Sequence, residues 1–174
     1  MRRMILITLL FVFAALPASA QRLKLDFPGL AERAEEVVDI TLDADMLKLA
    51  AKFFSGKDDQ DLRDTVRGLQ GIYVRSYEFA REGEYDRRLI DQVRSQLGSS
   101  WKPLVTVRSK SKENVNIYAD MRGENIVGLV VIASEPREFT VVNIVGPIDM
   151  DKLSRLQGQF GIPDVADKKE GSRE

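Results

Sequence analysis

Tyr73, Arg75 and Tyr77 are the residues whose types and spacing most suggest a binding site. They alternate along a segment rich in aromatic and β-branched residues, which predicts a strand whose Tyr73, Arg75 and Tyr77 side chains project to one face. An arginine between two aromatic rings can bind a carboxylate, a sugar or a partner's backbone. Tyr118, on another predicted strand, completes this candidate interaction face. A structural alternative is favoured, because tyrosines suit strands and Arg75 could lie over a ring or pair with Asp120 or another carboxylate.

Asn143 is a polar residue inside an otherwise apolar predicted strand. A buried amide must find hydrogen-bond partners. We therefore expect its side chain either to tie the sheet to the turn at Gly146 and Pro147 or to line a cleft, and we favour the structural role.

Two clusters of charged residues could bind ions, but simpler explanations are favoured for both. An acidic cluster at a predicted helix start lacks the spacing of a calcium loop, and negative charge is favourable at a helix start in any case. It consists of Asp58, Asp59, Asp61 and Asp64. A basic patch near a predicted hairpin could contact an anionic surface, although a solvated turn explains it better. It consists of Arg108, Lys110 and Lys112.

The composition removes most catalytic chemistry. The chain has no histidine and no cysteine, which excludes Ser–His and Cys–His nucleophiles and the usual ligands of zinc, copper and haem. Glu78 and Asp120 could form a glycosidase-like carboxylate pair if they flanked a substrate cleft. No nucleophile elbow, metal motif or dinucleotide fingerprint supports such an enzyme. We predict no catalytic residue, no cofactor and no metal site.

The first twenty residues predict export. Arg2 and Arg3 precede an apolar run over residues 4–16, and Pro17-Ala18-Ser19-Ala20 follows it. This is the pattern of a secretory signal peptide that is cleaved after Ala20, before Gln21. The run is shorter than the roughly 20 residues that span a bilayer, so we favour cleavage over retention as an anchor. The mature protein should be periplasmic or secreted and soluble, without a transmembrane segment.

Charge and length predict one domain that does not bind nucleic acid. Once Arg2 and Arg3 leave with the signal, 24 Lys and Arg face 27 Asp and Glu, a formal charge of −3. No concentrated basic face is present of the kind that nucleic-acid binders use. The predicted organisation is a signal peptide, an N-terminal segment, a single α+β domain and a charged flexible tail, over residues 1–20, 21–36, 37–160 and 161–174.

The periodicity of apolar residues predicts a two-layer α+β fold, with a mainly antiparallel sheet of about five or six strands and helices packed on one face. Short connections between the later strands favour antiparallel hairpins. In the strand after residue 113, Asn116, Tyr118 and Asp120 should form a wet face. The predicted strands cover residues 37–42, 72–79, 104–109, 114–121, 126–134 and 139–145. Helices are expected to begin at Asp43 or Asp45, at Asp58, near Tyr85 and at Asp149.

Three segments resemble the bacterial domain of unknown function 4252 family (DUF4252). They are Gly71–Phe79, Val107–Lys110 and Val141–Asp149, in this order, and the resemblance extends from about residue 42 to residue 156. It implies a secreted or envelope-bound bacterial protein without an assigned activity, so it supplies no site residues. Many members of that family begin with a lipoprotein cysteine, which this chain lacks.

Three functions remain open at this stage. The leading hypothesis is a non-catalytic envelope protein that binds another envelope protein through an exposed sheet face or edge, since strand aromatics suit interface hot spots. The second is a small-ligand carrier or sensor with a pocket between helices and sheet, lined by Met46, Phe53, Phe54 and Val142. A carboxylate-based hydrolase is the third.

Overall fold

A computed structural model describes residues 22–53, 60–109 and 113–149. Several predictions concern residues outside these ranges: the signal peptide and its cleavage site, the helix from Asp149 and the charged tail, and the residues Phe54, Asp58, Asp59, Lys110 and Lys112. Within the described ranges, none of the helices has the length and apolar character needed to cross a membrane.

Within those ranges, six strands and three helices follow one another in the order β-α-α-β-α-β-β-β-β. The strands are β1 (Glu36–Asp43), β2 (Gly71–Glu78), β3 (Trp101–Val107), β4 (Asn114–Arg122), β5 (Asn125–Ser134) and β6 (Glu138–Ile148). The helices are α1 (Ala44–Ala50), α2 (Gln60–Gly68) and α3 (Arg88–Arg94). Asp43 is the residue that caps α1, because its carboxylate accepts hydrogen bonds from the backbone N–H groups of Asp45 and Met46.

All six strands form one antiparallel sheet in the order β1-β2-β6-β5-β4-β3. The mainly antiparallel α+β class is therefore confirmed. The last four strands pair with their neighbours along the chain, as their short connections predicted. β1 and β3 are the edge strands, and the register of β3 shifts between Pro103 and Val105.

One face of the sheet, here called the covered face, lies beneath the N-terminal segment 22–34 and α3. Leu23, Leu25, Phe27 and Leu30 of that segment are buried against the sheet, as is Val93 of α3. The strands contribute an apolar core to this face, which includes Tyr77, Val130, Ile132, Phe139 and Val141. Because apolar side chains at every second position remove this surface from water, the covered face supplies most of the core.

Among the residues that the structure describes, helices pack against the opposite face, here called the open face, at one end only. Leu47 of α1 and Val66 of α2 pack there with Ile72, Leu129 and Ile144. Helices therefore lie on both faces of the sheet, and the expectation that they pack on one face needs correction. The physical reason is that the strands are apolar on both faces, so each face requires cover.

Candidate functional site

The predicted interaction face exists as a group, but the chain itself covers it. Tyr73 and Tyr77 project with Arg75 from the covered face of β2 and are only 8% and 5% exposed. The Phe27 ring meets the Tyr77 ring edge-on at 6.1 Å, and the Arg22 guanidinium lies 4.2 Å from the centre of the Tyr73 ring. The tyrosines were expected at the surface, and this expectation is corrected. Sequence periodicity located their face but not the N-terminal segment that buries it.

Arg75, on β2, forms its ion pair with a residue of the neighbouring edge strand, β1. Its guanidinium forms an ion pair with Asp39, the residue directly opposite on β1, and donates a 2.8 Å hydrogen bond to the carbonyl of Val74. The structural alternative was a pair with Asp120 or another carboxylate, and the carboxylate that Arg75 pairs with is that of Asp39. A cleft of 290 Å³ remains beside Arg75 and Tyr73 under the N-terminal segment. Because Asp39 already binds the Arg75 guanidinium, that group has little capacity to bind another anion.

Tyr118 lies in the same row of the covered face as Tyr73, across β6 and β5. It is partly buried and packs against the core. Asp120, two residues further along β4, is 1% exposed, and the Nη2 atom of Arg122 lies 3.8 Å from its carboxylate. The prediction that Asn116, Tyr118 and Asp120 form a wet face is therefore wrong for the last two residues, because α3 and its flanking loops cover that side.

Asn143 ties the N-terminal segment to the sheet. It is fully buried, its Oδ1 accepts a 3.0 Å hydrogen bond from the backbone N–H of Leu23, and its Nδ2 donates to the carbonyl of Leu129 at 3.4 Å. Neither bond reaches the turn at Gly146 and Pro147 that the sequence suggested. The amide instead satisfies backbone groups on two other segments, which is what burial of a polar side chain demands.

The two carboxylates of the hypothesised hydrolase do not converge. Glu78 belongs to the open face at the end of β2 and lies 3.5 Å from the Nη2 atom of Arg137. Asp120 lies on the covered face of β4, which β6 and β5 separate from β2 in the sheet. No group of three or more acidic side chains suited to a metal ion occurs in the described part of the chain.

A continuous apolar row crosses the open face from edge to edge. Its six members, one per strand, are directly paired and all β-branched: Ile40, Val74, Val142, Val131, Ile117 and Val105. We call it the open row, because the edge members Ile40 and Val105 are 39% and 38% exposed. At about 4.8 Å between strands it is roughly 24 Å long.

A second row beside the open row extends the apolar surface. It contains Val38, Ser76, Thr140, Ala133, Val115 and Val107. Val107 is 48% exposed. Sequence reasoning missed this surface, although a signal was present: several strands are apolar at both odd and even positions, which favours a sheet with two faces to cover.

Acidic residues border the open face at the end opposite to α1 and α2. Glu36, Glu78 and Glu138 are paired across β1, β2 and β6, and we call them the acidic rim. Burial raises the pKa of the nearby Glu135 carboxyl, and the negative charges of Glu138, Glu113 and Glu78 raise this pKa further. Negative charge is therefore concentrated beside the apolar surface.

The pocket predicted for a small ligand has different walls in the structure. Met46 and Phe53 are exposed, Phe53 by 80%, and Val142 belongs to the open row. A groove of about 740 Å³ does lie between α2 and the end of the sheet. Its walls include Asp64, Gly68, Met121, Ile126 and Pro147.

Comparison with known proteins identifies one family. The model of the family described as Domain of unknown function (DUF4252) matches residues 32–156. This range includes all six strands and the three helices, and excludes residues 22–31, the first part of the N-terminal segment. No curated protein and no solved structure matches the chain.

Proposed function

The chain belongs to the DUF4252 family, which carries no assigned activity, and we propose that it is an exported, non-catalytic interaction module of the cell envelope. In this proposal the protein binds another envelope protein through the open face. The open row is the observation that carries it, because a continuous β-branched surface across six strands gains free energy when a partner removes it from water. Export is supported by the signal-like pattern of residues 1–20.

The edges of the sheet favour docking on the face over addition of a strand. Pro103 lacks a backbone donor, and the register shift beside it interrupts β3, which are two common protections of an edge strand. Glu36, Asp39 and Asp43 place negative charge along β1, the other edge. A partner strand would therefore find poor pairing at either edge, whereas Ile40 and Val105 of the open face are exposed.

The chemistry of the open face indicates what kind of partner would suit it. Val38, Ile40, Val105 and Val107 suit an apolar counter-surface, and lysine or arginine beside it would complement the net negative charge of the acidic rim. We therefore propose a protein partner whose exposed apolar surface is bordered by basic residues. Raising the salt concentration should screen the charges of the acidic rim and so weaken the complex, but the apolar contacts should keep the complex from dissociating fully.

Site-specific photo-crosslinking in the producing cells tests this proposal. A photoreactive amino acid at Val105 lies on the open face, and the same amino acid at Lys24 lies on the exposed side of the N-terminal segment. We expect one defined protein adduct from position 105 and none from position 24. The mass of the protein from the same cells should correspond to residues 21–174.

The identified partner should then bind the purified protein. Val105→Glu should weaken that binding at least tenfold, whereas Thr106→Glu, whose side chain belongs to the other face of the same strand, should change it less than twofold. Absence of an adduct from positions 105, 107 and 40 would overturn the proposal, as would equal effects of the two glutamate variants.

Carriage of a small ligand is the second candidate function, and the groove beside α2 is the observation that favours it. A volume of about 740 Å³ with both apolar and charged walls is within the range of small-molecule sites. Native mass spectrometry of the protein from its own cells would detect a bound molecule. Ile126→Trp should expel that molecule, and a native mass without any ligand would count against carriage.

A further inference from the structure

A second site, separate from the open face, lies where α3 crosses the covered side of β4. A cleft of 280 Å³ opens there between Arg87 and Arg94 on the helix side and Arg108 after β3. Its floor includes the side chains of Asn114 and Asn116.

The elements of the fold explain why these residues meet. Val93 is fully buried and anchors α3 on the sheet. Arg87, Asp91 and Arg94 recur at intervals of four and three residues, which places them on one side of the helix. Asn114 and Asn116 alternate along β4 and so share the covered face. On this part of the covered face, two amide side chains therefore lie next to the arginines instead of apolar core residues.

Positive charge in the cleft exceeds negative charge by two. Three guanidinium groups and the Asp91 carboxylate line it. Asp91 lies 3.4 Å from the Nη1 atom of Arg94 and is itself largely exposed. In the part of the chain that the structure describes, no carboxylate lies within 4.0 Å of the Arg87 or Arg108 guanidinium. This excess is notable because the whole chain has a formal charge of −1.

The amides of the floor add neutral donors. The Oδ1 of Asn114 accepts a 2.9 Å hydrogen bond from the backbone N–H of Ser109, which leaves its NH₂ group directed elsewhere. The side-chain amide of Asn116 forms no hydrogen bond with any residue of the described ranges. Guanidinium and amide groups together can supply several N–H donors to one acceptor.

We propose that this cleft binds the phosphate group of a small molecule or free phosphate. A local excess of two positive charges suits a dianion, and arginine forks bind phosphate oxygens in pairs. The volume of 280 Å³ lies just below the roughly 300–1,000 Å³ of drug-sized ligand sites, so it suits a small phosphate compound rather than a nucleotide. This inference is independent of the proposed partner.

Calorimetric titration of the purified protein with inorganic phosphate and with glycerol 3-phosphate tests the site. The test variant is Arg87→Gln/Arg108→Gln. The control is Arg67→Gln/Arg81→Gln, which removes the same charge at exposed positions that do not line the cleft. We expect saturable binding that the test variant weakens at least tenfold and the control changes less than twofold. All four arginines are exposed, so the unfolding transitions of the variants should match.

The two ligands identify the source of the phosphate. Tighter binding of glycerol 3-phosphate assigns the cleft to phosphorylated small molecules, and equal binding assigns it to free phosphate. Amide signals of Asn114 and Asn116 in NMR spectra should shift during the titration. Saturation by neither ligand, or equal loss of affinity in the test and control variants, would overturn the inference.

Discussion

At the scale of single residues, Asn143 holds the N-terminal segment on the sheet with one amide. Replacement by leucine leaves the Leu23 N–H and the Leu129 carbonyl without this partner in a buried place. We expect Asn143→Leu to lower the free energy of unfolding by roughly 2 kcal/mol, since a buried unsatisfied polar group costs about 1–3 kcal/mol. Urea denaturation of both proteins measures this difference in the free energy of unfolding. Asn116→Leu is the control, because that amide is partly exposed and forms no bond within the described ranges, and an equal loss there would contradict the prediction.

Glu135 makes stability depend on pH. Because burial and neighbouring carboxylates raise its pKa in the folded protein, the ionised form is disfavoured there. The neutral Glu135 carboxyl therefore contributes to the free energy of unfolding. That contribution is fully present below the ordinary glutamate pKa of about 4.3 and is lost as pH rises through the raised pKa.

Glu135→Gln should therefore raise the urea midpoint at pH 7 and leave it unchanged near pH 3.5. The rise should stay within the ~0.5 kcal/mol typical of surface substitutions. The control is Glu124→Gln, at the opposite end of β5. A lower midpoint for Glu135→Gln at pH 7 would refute the assigned electrostatics.

Residue types alone indicated the direction of the candidate side chains and not their burial. Alternation along β2 correctly placed Tyr73, Arg75 and Tyr77 on one face. Their cover comes from residues about 50 positions earlier, and such a contact leaves no local periodic signal. The same reason explains why Asn143 was expected to bond locally and instead binds Leu23.

At the scale of elements, the N-terminal segment behaves as part of the core although it has no regular secondary structure. The Phe27 ring contacts Phe139 edge-on at a centroid distance of 5.4 Å and is 4% exposed. We expect Phe27→Ala to lower the unfolding free energy by about 3 kcal/mol, as buried phenylalanine truncations do.

Phe53→Ala is the matched control for that truncation, because Phe53 is 80% exposed and should change stability by less than about 0.5 kcal/mol. Thermal or urea unfolding of both variants gives the comparison. Equal stability of Phe27→Ala and the unmodified protein would mean that the segment is not part of the cooperative core.

Strands were more predictable than the placement of helices. Alternation and short hairpins identified all six strands, with three-residue differences at the start of β3, which begins at Trp101 rather than at residue 104, and at the end of β6, which ends at Ile148 rather than at residue 145. Bulky β-branched residues produce that signal locally. Whether α1, α2 and α3 cover one face or two depends on the sum of apolar residues over the whole sheet. No single helix sequence contains that information.

At the scale of the whole molecule, the two faces of one sheet have different roles. The covered face is closed by the N-terminal segment and α3, and the arginine cleft lies at its margin. On the open face, α1 and α2 cover one end, and the edge members of the open row, Ile40 and Val105, stay exposed. The fold therefore separates the buried core of the covered face from the exposed edge members on which the proposed partner binding rests.

The exposed apolar surface should be measurable in the isolated protein. Val105→Lys/Val107→Lys places two charges on the open face at the edge strand, where both valines are already more than a third exposed. We expect fluorescence of a hydrophobic dye to fall at least twofold, because such dyes bind exposed apolar patches. Stability should change by less than about 0.5 kcal/mol.

The control Thr106→Lys adds a charge to the same strand from the covered side and should leave dye binding unchanged. Equal fluorescence of the double variant and the unmodified protein would show that the open face does not attract apolar ligands, and the proposed mode of partner binding would lose its physical basis.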